Sequence, residues 1–533
     1  MPAKRQGSTP KARRERRRVI RLEPVPAGRM KVVFVLLCAG LLGLVGRMAW
    51  LQIVQASELE ARARVVQTQR TKPLGSRRPI VDRNGRLVAL DEERYRLWAH
   101  PRYFNFPGDE PTLIRDRQEV AARLSPVLAL SSGELNKRMG DRASGIKLAE
   151  GVDPETATTV RSLGISGIDL EPYPYRVYPQ GSLFANVVGF LNQERQPQAG
   201  LEQSRDDDLQ RHEQARSLRR GADGTPLPDN LAPGVFFGDD LRLQLTLDAR
   251  LQELAAKALS AQVKTWKAKK GVAIVMDVTN GELMALASTP TYDANRYWDF
   301  NPERFREWSV QDLYEPGSTF KPINLALALQ EGVIQPNETV YDSGALTIGG
   351  WPIRNHDRKG NGVVDFATVL QVSSNVGMVQ AMRKMRPSNY WDWLSRLGLD
   401  AKPDTDLPGA VAGQLKTKEQ FTTQPIEPAT AAFGQGFSLT PLKLVQLHAL
   451  IANGGRLVSP HITRGLRAGH ALAPSGERMG QPLLRPEVTR TVLNWMESVV
   501  EKGSGKGVRT PGYRIGGKTG TAQKAVNGVY VPG

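Results

Sequence analysis

Glu315-Pro316-Gly317-Ser318-Thr319-Phe320-Lys321, followed by Pro322, is the stretch that organises the rest of the chain. Pro-Gly marks a turn. Beyond it, Ile323, Leu325, Ala326, Leu327 and Leu329 make an apolar helix that is expected to stop near Gly332. A helix tolerates proline only in its first turn, so Pro322 puts the helix start close to Ser318. Residues three apart share a helix face. The Lys321 ammonium is therefore expected to reach the Ser318 hydroxyl, with the N–H groups of the helix start aimed at the same spot. That is the geometry of a serine nucleophile with a lysine base. The same spacing recurs from Ser8 to Lys11 in a basic tail, so the pattern alone decides nothing.

The length of 533 residues implies two to four domains. With 40% apolar and 24% charged residues, the composition is that of a folded protein. The net charge of +18 is concentrated at one end, since residues 1–31 hold eleven Lys/Arg against two acids. The single cysteine, Cys38, excludes an intrachain disulfide, and no cysteine–histidine zinc pattern is present. No metal or cofactor is called for.

Residues 1–29 read as a disordered basic tail, with a nucleic-acid-binding arm as the rival reading. Residues 32–54 are apolar apart from Arg47 and Gln52. As a helix they span roughly 34 Å, enough to cross a bilayer. Arg47 lies toward one end and can snorkel, and Trp50 sits where an interfacial aromatic belongs. The stretch is too long for a cleaved signal peptide, so an uncleaved anchor is expected. Positive charge before the span keeps the N-terminus cytoplasmic and puts the rest outside. Gly40, Gly43, Gly46 and Ala49 form a stripe that another membrane helix could approach, although glycine is common in such spans.

Residues 55–235 form a second region. A charged helix is expected over 57–68, and strands over 78–81 and 87–90 around the turn Asp82-Arg83-Asn84-Gly85. A short helix follows at 154–163, then extended pieces at 176–179 and 187–191. Asp206-Asp207-Asp208 reads as a solvated face rather than a metal site. Turn-rich residues 221–234 mark the boundary. Beyond it, 241–247 alternate as a strand, 249–264 form an amphipathic helix, and 271–278 with 282–288 flank Asn280-Gly281 as a buried hairpin. The layout is then a tail (1–29), an anchor (30–54), a pedestal or dimerisation region (55–235) and a chemistry-bearing domain (236–533).

Two further stretches bear on the chemistry. Ser373-Ser374-Asn375 lies 55 residues after Ser318, and Lys518-Thr519-Gly520-Thr521 follows Ile515-Gly516-Gly517. Each is cheap alone. Together, in this order and at domain-scale spacing, they are a signature. The chain resembles the class B penicillin-binding proteins, and more closely the division-specific septal peptidoglycan transpeptidases. The resemblance rests on the anchor ending Gly46-Arg47-Met48-Ala49-Trp50-Leu51-Gln52, on Asp82-Arg83-Asn84-Gly85, Arg176-Val177-Tyr178-Pro179, Gly200-Leu201-Glu202 and Leu245-Thr246-Leu247-Asp248. It also rests on Tyr314 through Lys321, Gly434-Gln435-Gly436 with Thr440-Pro441, and Gly517 through Ala522. Arg77-Arg78 stands where the family usually has Arg-Gly.

The resemblance implies an α+β fold: a single transmembrane helix, a mixed extracytoplasmic pedestal, and a transpeptidase domain like the serine β-lactamases, with an antiparallel sheet between helices. It implies Ser318 as nucleophile and Lys321 as base. A base must be neutral, so burial and a neighbouring cation, Lys518, must lower the lysine's pKa. Ser373 relays a proton and Asn375 holds Lys321 and the substrate amide. Thr519, Gly520 and Thr521 receive the substrate, with Gly516, Gly517 and Gly520 letting its backbone lie against a strand. The N–H groups of Ser318 and Thr521 form an oxyanion hole, each donor worth about 3 kcal/mol. The implied substrates are peptidoglycan stems ending in D-Ala-D-Ala, with β-lactams as inhibitors. The implied partners are a polytopic glycan polymerase and other division proteins, and nucleic acid is not among them.

Other readings remain open: an elongation-specific transpeptidase, a D,D-carboxypeptidase, a serine β-lactamase, or a non-catalytic division scaffold. In relatives, further strands and a closing helix follow the Lys-Thr-Gly strand. With Gly533 thirteen residues past Gly520, the expectation is a domain incomplete at its C-terminus that folds poorly and acylates slowly.

Overall fold

The computed structural model describes residues 27–56, 68–70, 76–211, 217–219, 240–468, 471–474, 479–522, 524–526 and 529–531. The tail with Ser8 and Lys11, residues 57–67 of the helix expected over 57–68 and the turn-rich boundary at 221–234 lie outside them, while Thr68 is found in a strand. The chain divides into two compact units, Met1–Pro73 with Gln214–Gly234, and Leu74–Glu213 with Val235–Gly533.

In the first unit, helix α1 (Ala27–Ala49) continues into a π-helical stretch over Trp50–Val54. The apolar run Met30–Val54 is long enough to cross a membrane. Its large side chains are exposed on all sides, as a helix meant for lipid should leave them. Nothing lies within 4 Å of a Cβ built on Gly40, Gly43 or Gly46. Thr68–Arg70 pairs antiparallel with Ser217–Arg219.

The second unit begins with a short strand β1 (Ile80–Val81) and a long one, β2 (Leu87–Ala99). The turn between them closes on Asp82, whose carboxylate accepts the N–H groups of Asn84 and Arg86, both at 2.8 Å. Helices α2 (Arg117–Leu128) and α3 (Ser132–Met139), strand β3 (Ile146–Val152), helix α4 (Pro154–Ser162) and strand β4 (Ile168–Val177) follow. Strand β2 runs nine residues past the expected end at Leu90. Its charged run hides the strand period, but β4 pairs with it from Leu90 to Ala99 while Tyr95, Leu97 and Ala99 enter a core. The expected extended piece at 187–191 is instead a helical turn, Ala185–Val188, ended by Gly189 at φ +78°. A Cβ there would sit 1.8 Å from the Ala199 carbonyl oxygen, so only glycine fits.

Asp206 is not simply a solvated acid, for it pairs with Arg77 at 2.5 Å. The same Arg77 faces Glu202, which is fully buried and also accepts from Arg176 Nε at 2.7 Å. Asp91 accepts from the Arg77 N–H, Arg176 and Arg195. Two resemblance motifs, those holding Arg176 and Glu202, thus meet in one buried ionic network with Arg77.

Strand β5 (Arg242–Leu245) runs parallel to β1. After it come helix α5 (Ala249–Thr265), the hairpin β6 (Gly271–Met276) and β7 (Leu283–Thr289), and helix α6 (Lys321–Gln330). Four short strands follow: β8 (Thr339–Asp342), β9 (Ala345–Ile348), β10 (Trp351–Arg354) and β11 (Gly362–Asp365). Then come α7 (Phe366–Gln371), α8 (Asn375–Met382), α9 (Pro441–Ala452), β12 (Thr463–Ala468), β13 (Ala471–Pro474) and α10 (Pro486–Lys502). One seven-stranded sheet has the order β13-β12-β5-β1-β2-β3, with β4 also on β2.

The sheet expected between the helices is reduced among the described residues to the pair β6–β7. Strand β7 is mostly buried, whereas β6 is only half-buried, which corrects the expectation of a hairpin buried throughout. Residues 515–522 form no regular strand, so the expected Lys-Thr-Gly strand is absent. Three glycines give that stretch little strand preference of its own, and β6 does not pair with it.

Candidate active site

The buried face of α6 sets the site. Ile323 through Ala328 are all at most 1% exposed, so the helix is anchored on its whole circumference. Its first turn is a 3₁₀ stretch, Gly317–Phe320, that passes into α6 at Lys321 with Pro322 in the opening turn. The helix start expected from Pro322 is therefore found where it was placed. Gly317 has φ +57° and donates its N–H to the Gly434 carbonyl at 2.9 Å. Glu315 accepts the Gly436 N–H at 3.0 Å. The Gly434-Gln435-Gly436 motif is thus the wall against which the Ser318 turn is pressed. On the turn's other side His448 Nε2 lies 3.0 Å from the Thr319 carbonyl oxygen.

Lys321 is fully buried. Its Nζ lies 2.6 Å from the Ser373 carbonyl oxygen, 2.8 Å from Asn375 Oδ1 and 3.2 Å from Ser373 Oγ. Ser318 Oγ, half-exposed, makes no hydrogen bond among the described residues, so the expected Ser318–Lys321 contact is not formed in this state. Two of the lysine's neighbours are carbonyl oxygens that can only accept. A neutral amine has two N–H groups for them and keeps its lone pair for a hydroxyl. Burial drives the Lys321 pKa well below the ordinary lysine range, the Lys518 charge pushes the same way, and Asp342 opposes both.

Lys518 Nζ donates to Ser373 Oγ at 2.9 Å and to the Thr519 carbonyl at 2.8 Å. Desolvation lowers its own pKa to about 8. Ser373 therefore stands between the two lysines. Its backbone has φ +58°, which costs a non-glycine residue roughly 1–2 kcal/mol. Thr519 Oγ1 lies 2.9 Å from Ser504 Oγ. Residues 520–522 lie against the Ser318 turn: a Cβ on Gly317 would be 3.0 Å from the Thr521 oxygen, and one on Gly520 would be 2.5 Å from Thr319 Cγ2. Ser318, Lys321, Ser373, Asn375, Lys518, Thr519, Gly520 and Thr521 are thus brought together in space.

Sequence reasoning missed what holds the Ser373-Ser374-Asn375 loop. Asn355, on the turn after β10, accepts the N–H groups of Asn375 at 2.8 Å and Val376 at 3.1 Å. Its amide donates to both oxygens of Asp342, at 2.8 and 2.9 Å. Asp342 is 1% exposed and also receives the Gly344 N–H and Asn361 Nδ2. Burial raises its pKa, but those donors outweigh it and hold the carboxyl below its ordinary range. Asp342 ends strand β8 and Asn355 follows β10, with nothing local to mark either.

Residues 271–531 match the penicillin-binding protein transpeptidase domain, and residues 73–224 match the penicillin-binding protein dimerisation domain. The chain is 34% identical to the peptidoglycan D,D-transpeptidase FtsI homolog of Chlorokybus atmophyticus, covering 90% of this chain and 85% of that protein. The chain belongs to the class B penicillin-binding transpeptidases.

It is also 33% identical to the peptidoglycan D,D-transpeptidase FtsI of Escherichia coli, over 92% of this chain and 81% of that protein. A crystal structure of a peptidoglycan synthetase from Bifidobacterium adolescentis superposes with a TM-score of 0.63 at 25% identity, covering 86% of each chain. In this transpeptidase Arg78, where the family usually has glycine, donates to the Asp208 carbonyl at 2.5 Å.

Proposed function

We propose that this transpeptidase cross-links peptidoglycan stem peptides through an acyl-enzyme on Ser318 during septal wall synthesis. The observation that carries the reading is the fully buried Lys321, held by Ser373 and Asn375 with a depressed pKa. A lysine whose pKa is lowered this way gives up its proton more readily than an exposed one, and in its neutral form can accept the Ser318 proton. Attack of Ser318 Oγ on the penultimate D-Ala carbonyl forms a C–O bond. The oxyanion is met by the N–H groups of Ser318 and Thr521. The C–N bond then breaks, and the proton passes by way of Ser373 to the leaving D-Ala amine. An amine on a neighbouring stem attacks the ester, yields a proton to the same relay, and frees Ser318. Lys518, Thr519 and Thr521 hold the terminal carboxylate, and Gly520 lets the substrate lie close. A β-lactam follows the first half and stays. Hydrolysis of the ester gives a D,D-carboxypeptidase side reaction.

The apolar Met30–Val54 helix supports a single-pass inner-membrane anchor with the tail cytoplasmic and residues beyond about 55 outside. The layout is a tail (1–29), an anchor (30–54), a pedestal or dimerisation domain (55–235) and a transpeptidase domain (236–533). The glycan strand comes from a polytopic glycan polymerase, which docks with other division proteins on anchor and pedestal. Gly43→Leu is expected to abolish a crosslink between α1 and such a partner helix; an undiminished crosslink disposes of that contact.

A fluorescent penicillin tests the reading. Wild type is expected to label, and Ser318→Ala is not. Equal labelling, or none in wild type, favours a scaffold role. Midcell against sidewall localisation separates division from elongation.

A further inference from the structure

We infer that His448 is a positioning residue for the nucleophile, acting by holding the Thr319 carbonyl so that the Ser318 turn keeps its shape. The inference rests on Ser318 being the nucleophile and extends that reading to a residue outside the three motifs.

The argument begins with a missing donor. Ser318 sits in a 3₁₀ turn, where each carbonyl looks for the N–H three residues on. For Thr319 that residue is Pro322, which has no N–H. The turn thus lacks a hydrogen bond one residue after the nucleophile. His448 Nε2 lies 3.0 Å from that oxygen. A carbonyl can only accept, so the imidazole donates, which specifies the tautomer with the proton on Nε2. Burial disfavours the charged ring, in keeping with a neutral donor.

The position of His448 is fixed by its helix. It lies in α9, whose N-terminus is capped by Thr440 with Pro441 in the first turn, and whose neighbours Leu447, Ala449 and Leu450 are at most 1% exposed. The imidazole is therefore presented from a rigid element. The turn is pinned on its other flank by the Gly317 N–H to Gly434 carbonyl bond at 2.9 Å, and Thr319 Oγ1 donates back to the Pro316 carbonyl at 2.6 Å. Ser318 Oγ has no hydrogen bond of its own among the described residues, so its direction depends on the backbone that carries it. His448 touches neither substrate nor the reacting atoms. It acts through the peptide unit next to the nucleophile.

The test is acylation of the detergent-solubilised chain by a fluorescent penicillin, with the binding constant and the first-order acylation step resolved. Three variants are compared: His448→Leu, His448→Gln and His448→Asn. Gln places its amide nitrogen near Nε2 and Asn places it near Nδ1, so only Gln keeps the reach to Thr319. Leu and Asn are expected to slow the acylation step about tenfold while the binding constant moves less than twofold. Gln is expected to recover to within about threefold of wild type. Melting temperatures recorded alongside separate slow acylation from loss of fold. The proposal is overturned if Leu and Asn acylate at the wild-type rate, or if Gln is impaired as much as Asn, which would mean that ring packing matters and the donor does not. Labelling of wild type, and none of Ser318→Ala, establishes the nucleophile independently. A wild type that takes up no penicillin overturns both readings.

Discussion

Replacing Asn355 by leucine tests what holds the catalytic loop. Leucine has the same branched skeleton as asparagine, so the side chain's shape is kept while its hydrogen bonding is lost, and the bulkier methyl groups add some overpacking at this buried site. In the wild type, the Asn355 carbonyl receives the N–H groups of Asn375 and Val376, and its amide satisfies both Asp342 oxygens. Val376 and Asp342 are fully buried, so each orphaned group costs about 1–3 kcal/mol. The Gly344 N–H and Asn361 amide still serve Asp342, which puts its share at the low end. The expected loss of stability is about 3 kcal/mol, read from urea unfolding of the detergent-solubilised chain. A second loss is catalytic. Asn375 Oδ1 is one of the two oxygens that receive the Lys321 N–H groups, and fraying of the first turn of α8 displaces it. Acylation by fluorescent penicillin is expected to slow about tenfold, equivalent to ~1.4 kcal/mol in the barrier. Asp342→Leu added to Asn355→Leu removes both partners, and the double variant is expected to lose less than the sum of the singles. A stability change under 1 kcal/mol with normal acylation would falsify the bridge.

Four further outcomes follow from the geometry. The Lys321 pKa is lowered by burial and Lys518 and raised by Asp342, so Asp342→Asn should move the acid limb of the acylation profile to lower pH and Lys518→Met to higher pH; a limb that stays put in both refutes Lys321 as the base. By linkage, the unfolded chain binds a proton at Lys321 that the folded chain does not, so this residue makes stability rise with pH from its depressed folded pKa up to about 10.4, and Lys321→Met should remove that slope in unfolding measured across pH. Gly434→Ala puts a Cβ 2.0 Å from the Gly317 oxygen at φ +84°, and should cost more than about 3 kcal/mol and abolish penicillin labelling; a labelled, stable variant would show that the wall behind Ser318 yields. Glu202→Gln leaves Arg176 and Arg77 short of a buried countercharge and should cost about 3–5 kcal/mol in urea unfolding, whereas a cost near zero means that the network is not what ties these motifs together.

Much of the site was legible because its chemistry is carried by short local patterns. Ser318 and Lys321 share a face by helix spacing alone, and Pro322 marks the helix start. The turn at Asp82 to Gly85 and the helix capped by Asp153 at Pro154–Ser162 were equally local. What failed was long-range. Strand β2 hid its period under charges whose partners, Arg176 and Arg195, come from 85 and 104 residues away. Residues 187–191 are buried on every side, so no period told helix from strand. The Lys518–Thr521 stretch carries the right side chains, but whether it forms a strand depends on a neighbour rather than on its own residues.

The amino-acid sequence by itself determined which groups are the candidates for the chemistry, because serine-x-x-lysine, serine-x-asparagine and lysine-threonine-glycine need only residue type, spacing and order. Only the tertiary structure decided how those groups are made competent. A lysine becomes a base when desolvated, and burial of Lys321 is a property of everything packed around it. The supports of the loop and of the nucleophile turn, Asn355 with Asp342 and then His448, are ordinary polar residues far from the motifs in the chain. Hydrogen bonds couple groups by distance in space, and that distance exists only once the chain has folded.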